Sequence, residues 1–127
     1  MEYIRLYADA SGETHFADVV VELDVVDFAP PAPPLDLSAY HEADRYAFCR
    51  FPAGWHGDWH PTPRCQVFFL LSGEMDVEVS DGETRHIGPS SVVLVEDRVG
   101  RGHVSRVVGD EDVLSAIVQL PEQTKAN

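Results

Sequence analysis

The sequence predicts an all-β domain, a sandwich or barrel, and three observations predict it. Short strand-like runs recur with turn signals at close spacing, no stretch has the pattern of an amphipathic helix, and from Asp44 onward apolar residues follow strand periodicity. With 127 residues, the chain is expected to be one domain with room for a single substantial core.

Taken in order, Met1 to Ala8 alternates weakly and reads as a short strand, and Asp9, Ser11 and Gly12 mark a loop. Asp18 to Phe28, DVVVELDVVDF, is rich in valine and reads as a second strand. Ala29 to Leu37, APPAPPLDL, holds four prolines, which fix φ and remove backbone donors. It is expected as an extended arm lying on the body of the domain or on a second subunit. Arg45 to Phe51 is a strand with Tyr46, Phe48 and Arg50 on one face and Ala47, Cys49 and Phe51 on the other. Pro52-Ala53-Gly54 breaks it.

Gln66 to Leu71 is apolar after its first residue, which predicts a strand with both faces buried. Ser72-Gly73 turns, and Glu74 to Ser80 alternates with Met75, Val77 and Val79 inward. Asp81-Gly82 is a hairpin signal, Thr84 to Ile87 returns, and Gly88-Pro89 turns again. Ser91 to Val95 is another buried strand, and a Gly- and Arg-rich loop, Asp97 to Gly102, leads into the strand His103 to Val108. Val113 to Leu120 is the last strand. The expected organisation is N-terminal strands and a proline-rich arm over 1–43, a barrel over 44–120, and a loose tail over 121–127.

Nine Lys and Arg against 22 Asp and Glu give a formal charge of −13, which repels nucleic acid and anionic membranes as partners. The two cysteines, Cys49 and Cys65, form no C-x-x-C pair and read as reduced, part-buried thiols. The N-terminal residues lack the basic and apolar regions of a signal peptide, and no run reaches the ~18 apolar residues of a membrane span. A cytoplasmic protein is the expectation.

The chemistry concentrates in Gly54 to Gly73, GWHGDWHPTPRCQVFFLLSG, which holds two of the six histidines and both tryptophans. Gly54 is followed by five residues and His60, then Pro61 and Thr62, three residues, Gln66, six residues and Gly73. This spacing resembles the first motif of the cupins, in which a Gly leads through His-x-His and a Glu to a second Gly. Here Thr62 stands for the second His and Gln66 for the Glu. The second cupin motif is more worn: Ser90, Glu96 and Arg98 replace its Gly, Pro and Gly, and the loop to its histidine, His103, is two residues longer.

The resemblance covers residues 44 to 120 and implies a double-stranded β-helix, the jelly-roll barrel. It also implies a small molecule bound inside, N-terminal strands used for a homodimer, and no organic cofactor. Cupin metal sites hold Fe, Mn, Ni or Zn with three His and one Glu. By position His60 and His103 match two ligands, and Gln66 is a neutral stand-in for the carboxylate. On a regular strand His56, Asp58, His60 and Thr62 share a side, so His56 or Asp58 is positioned to refill the set, as His56, His60, Gln66 and His103.

With a divalent metal, the expected chemistry is Lewis-acid action on a substrate oxygen, or O₂ chemistry for iron. Without one, His60 or His103 acts as general acid or base, supported by Glu96 or Asp58, in an isomerisation, cyclisation or lyase reaction. Asp58 and Thr62 are candidate substrate contacts. Arg98 and Arg101, with Arg106, form a basic island fit to clamp a substrate carboxylate or phosphate. A non-catalytic ligand-binding or sensing module is the competing reading, favoured by the missing Glu. Trp55 and Trp59 read as packing or subunit-contact residues, and His15, His41 and His86 as surface.

Overall fold

Eleven strands carry the fold in the computed structural model, which describes residues 1–122. They are β1 (Glu2–Ala8), β2 (Thr14–Val20), β3 (Asp24–Val26), β4 (Leu35–Leu37), β5 (Arg45–Phe51), β6 (Gln66–Ser72), β7 (Glu74–Val79), β8 (Thr84–Ile87), β9 (Val92–Val95), β10 (His103–Val108) and β11 (Val113–Gln119). Most of the tail foreseen over 121–127 lies outside the described residues. None of these residues forms a helix long and apolar enough to cross a membrane.

Two sheets face each other. A six-stranded sheet runs in the order β2-β1-β9-β6-β11-β5, and a three-stranded sheet runs β10-β7-β8. The chain passes back and forth between them, so strands far apart in sequence become neighbours: β11 pairs antiparallel with both β5 and β6. This is the double-stranded β-helix, or jelly roll. Residues 55–60 extend the smaller sheet beside β10 through two isolated bridges, His56 with Arg106 and His60 with His103.

Period-2 alternation builds the core. Leu6, Leu70, Val93, Val95 and Val113 point inward from the larger sheet and meet Met75, Val77, Val79, Ile87 and Val107 from the smaller one. Each such side chain contributes roughly 1.5–3 kcal/mol when it leaves water. The first strands belong to this body, since β1 pairs parallel with β9 over Ile4–Leu6 and antiparallel with β2 along its whole length.

Two expectations are corrected. The valine-rich run over 18–28 is not one strand. β2 starts earlier and ends at Val20, opposite Glu2, where β1 has no residues left to pair. The chain then leaves the barrel as an arm, whose short strands β3 and β4 pair only with each other. The strand β6 is buried on one face only: Gln66 and Leu70 face the interior, while Phe69 and Leu71 are 38% and 56% exposed.

Candidate functional site

The barrel interior keeps a cavity of about 110 Å³. Its floor is apolar, with Phe51, Trp55, Phe68, Met75 and Ile87 among its walls, and one end is polar, formed by His60, Thr62, Gln66 and His103. An apolar cavity of about 150 Å³ takes up benzene, so the volume suits a ligand near that size.

His103 opens β10 and is 9% exposed, opposite Val79 of β7. Its backbone N–H donates to the His60 carbonyl at 3.0 Å and its carbonyl accepts from the His60 N–H at 3.1 Å. Gly102 makes this approach feasible. Its φ is +78°, and a Cβ there would lie 2.1 Å from the carbonyl carbon and oxygen of His60. The two imidazole rings consequently sit with centroids 5.0 Å apart.

Each ring is oriented through Nδ1. That of His60 lies 2.7 Å from the Asp58 carbonyl oxygen, which only accepts, so this nitrogen donates. That of His103 lies 2.6 Å from Oδ2 of Asp97, a side chain with no solvent exposure. Asp97 is fixed in turn by its backbone carbonyl, which accepts from the Thr62 N–H at 3.0 Å. Its other oxygen, Oδ1, is buried with no hydrogen-bond partner among the described residues. Nε2 of each imidazole is left as the nitrogen available to a ligand.

The structure brings together His60, Thr62, Gln66 and His103 as one cavity wall. It does not bring the other candidates to them. His56 lines a separate outer groove of about 410 Å³ with Asp76, Glu78 and Arg106. The reason is a change of register: His56 and His60 are four positions apart, but their bridge partners Arg106 and His103 only three, and because the Gly57 N–H still meets the Ser105 carbonyl, strict alternation fails at Asp58–Trp59. Trp55 accordingly turns inward, packed edge-on against Phe51 at 4.9 Å between ring centroids, and Trp59 stays 47% exposed. Asp58 meets His60 only through its backbone carbonyl.

Glu96 does not support either histidine, because it pairs with Arg5 at 2.5 Å. The basic island is likewise divided. Arg101 pairs with Glu13 and Arg106 with Asp76, while Arg98 lines a cleft of about 210 Å³ with Arg5, Arg64 and Cys65. Burial, and then the charge of Glu96, push the Cys65 thiol above its ordinary range. The residue missed in the sequence is Asp97, and parity was its signal: Val93, Val95 and Asp97 lie on one side of the chain, and all are buried.

The donors present do not fit a resident divalent ion. Among the described residues no group of three or more His, Cys, Asp or Glu is placed to hold one. Gln66 is already engaged at both ends, its Nε2 donating to Thr62 Oγ1 at 3.2 Å and its Oε1 accepting from Gln119 Nε2 at 3.1 Å. Thr62 donates its hydroxyl to the Arg64 carbonyl at 2.7 Å. Two imidazole nitrogens remain, short of the three protein ligands an open catalytic site carries.

No protein-family model and no curated protein sequence matches the chain. Solved structures similar to it include the cupin domain of Cnp3 from Schizosaccharomyces pombe, at 15% identity, 95% of this chain, 83% of that one and a TM-score of 0.47. The DMSP lyase DddQ from Ruegeria pomeroyi is 18% identical over 83% of this chain, which spans 50% of that one, with a TM-score of 0.48. A predicted oxalate decarboxylase from Thermotoga maritima is 14% identical over 80% of this chain and 94% of that one, with a TM-score of 0.45. By its own two-sheet topology the chain is a jelly-roll barrel, and the segment between Gly54 and Gly73 sets His60 against His103 within it.

Proposed function

We propose that the barrel binds a small, mostly apolar metabolite with one polar head, and that His103, oriented by Asp97, moves a proton at that head. The observation that supports this reading is the buried pair itself, Asp97 Oδ2 at 2.6 Å from His103 Nδ1, at the polar end of the cavity. A carboxylate that accepts from Nδ1 leaves the lone pair on Nε2 and steadies the imidazolium once Nε2 takes a proton. His60, its Nδ1 held by the Asp58 carbonyl, offers a second Nε2 acceptor to the same head. An isomerisation, cyclisation or lyase step needs such a proton transfer. Among the described residues no Lys or Arg lines the cavity, which supports an uncharged head in place of the anionic substrate expected from the basic island.

A buried carboxylate oxygen without a partner costs folding about 1–3 kcal/mol, and such costs are tolerated at working sites. A second reading, a cavity that binds without turnover, is favoured by Gln66, whose engaged amide stands where the resemblance puts a carboxylate.

The test is a thermal-shift screen of neutral two- to eight-carbon aldehydes, ketones, alcohols and amides. Hits are then incubated in D₂O and followed by NMR. Deuterium entering the hit with the wild type, and at least tenfold more slowly with His103→Gln, is the expected result. Binding without exchange selects the second reading, and binding unchanged in His103→Gln sinks both.

A further inference from the structure

A row of polar side chains crosses the larger sheet and ends at the cavity. Cross-strand register sets Arg45 of β5 beside Gln119 of β11, and Gln119 beside Gln66 of β6. Residues directly opposite on neighbouring strands share a face, so these side chains meet in turn. Arg45 Nε donates to Gln119 Oε1 at 2.6 Å, Gln119 Nε2 to Gln66 Oε1 at 3.1 Å, and Gln66 Nε2 to Thr62 Oγ1 at 3.2 Å. Thr62 passes its own hydrogen to the Arg64 carbonyl at 2.7 Å.

The row has a direction. A guanidinium only donates, so the oxygen of Gln119 faces Arg45 and its amino group faces Gln66. Gln66 meets that group with its oxygen, which leaves its amino group toward Thr62 and the cavity. One hydrogen of this nitrogen goes to Thr62, and the other meets no acceptor among the described residues. Gln66 is 8% exposed and lines the cavity, so its spare N–H is a buried donor. Ser105 adds a second: it lies opposite the core residue Val77, lines the same cavity, and its hydroxyl has no hydrogen-bond partner among the described residues. The histidines have the opposite polarity. With Nδ1 of each donating to an oxygen, Nε2 of a neutral His60 or His103 only accepts.

We propose that the cavity recognises a primary carboxamide, its oxygen held by Gln66 and Ser105 and its two N–H groups by His60 and His103. A carboxamide carries two lone pairs and two hydrogens on adjacent polar atoms, which matches the two donors and two acceptors of the wall. A ketone has no hydrogen for the imidazoles, an alcohol has one, and a carboxylate has none and carries a charge. The inference rests on the cavity as the ligand site proposed above, and it concerns binding alone, whether or not His103 then moves a proton.

The test is NMR titration of isobutyramide, methyl isopropyl ketone and isobutyrate, which share one apolar body, into isotope-labelled wild type and Gln119→Glu. Gln119 is not on the cavity wall, but a carboxylate in its place only accepts, so Gln66 turns its amino group away from the cavity. The wild type is expected to hold isobutyramide about tenfold more tightly than either analogue, and Gln119→Glu to lose about tenfold for it. The side-chain amide resonances of Gln66, identified by their loss in Gln66→Leu, are expected to shift on binding. Circular dichroism checks that Gln119→Glu is folded; if it is not, the Gln66 resonances of the wild type decide alone. A ketone bound as tightly as the amide, Gln66 resonances unmoved at saturation, or equal binding of isobutyramide by a folded Gln119→Glu overturns the inference. Hits of the wider screen that carry other heads only also overturn it and leave the proposed function standing, whereas a screen without hits sinks both.

Discussion

Among the described residues three histidines pair with carboxylates, and the buried one is built differently from the two at the surface. His15 lies between Asp9 at 2.7 Å and Asp81 at 2.8 Å, and His86 between Asp76 at 2.9 Å and Glu74 at 3.0 Å. In both, each ring nitrogen is engaged, so the imidazole works as a staple. His15 ties the β1–β2 turn to the β7–β8 turn. His103 has one carboxylate, Asp97, and keeps its second nitrogen for the cavity. Both kinds use the same pairing, and what separates a staple from a tool is whether one nitrogen is left over.

The largest effect that would break this contrast is expected at Gly102. Gly102→Ala puts a methyl against the His60 backbone at a positive φ, and should cost about 3 kcal/mol or more by chemical denaturation. A loss below 1 kcal/mol, roughly the level of an ordinary substitution, would show that the His60–His103 approach is loose.

Asp97→Ala removes the buried acceptor and should cost about 1–3 kcal/mol, whereas Asp97→Asn, whose amide oxygen still accepts from Nδ1, should cost less. Equal losses in the two would mean that packing and not the hydrogen bond fixes His103.

The staples are expected to show in the pH dependence. Hydrogen bonds from Asp9 and then Asp81 raise the His15 pKa above 6.5, and Glu74 and then Asp76 do the same for His86. A raised folded pKa gives stability that is fully present below 6.5 and is lost as pH rises through the raised value. The partners act in the opposite sense. The pKa of Asp76, lowered mainly by His86, and that of Asp81, lowered mainly by the Glu83 N–H, give stability present above 3.8 and lost as pH falls through the lowered values. Thermal melts of the wild type should therefore be most stable between 3.8 and 6.5 as far as these clusters decide it. In His15→Asn the fall from pH 5.5 to 8.5 should shrink, and a fall of unchanged size would remove the staple from the account. The smallest change is expected from chelation: dialysis against EDTA should leave the melting temperature where it was, and a drop would reveal a donor beyond His60 and His103.

Much of the barrel was legible because its strands obey local rules. β5 through β11 follow alternation and turn chemistry that need no knowledge of their partners, and Gly54, His60 and Gly73 could be found by counting. Other features depended on partners that local sequence does not specify. The end of β2 was set by where β1 begins, and the exposure of β6 by which neighbours the chain lacks. At the site, one extra residue between two bridges sent His56 outward and Trp55 inward. Glu96 was preferred over Asp97 as the carboxylate beside His103, although continuing the β9 alternation two residues past its last valine selects Asp97.

The inward turn of Trp55 has a spectroscopic consequence. The chain holds two tryptophans, and Trp55 borders both the interior cavity and the outer groove while Trp59 faces solvent. With Trp59→Phe, emission reports from the partition between those two compartments alone. Quenching by acrylamide then measures access from the groove, and a blue shift on adding a cavity ligand measures water leaving the other side. The protein thus carries its own dye at the wall where the two spaces meet.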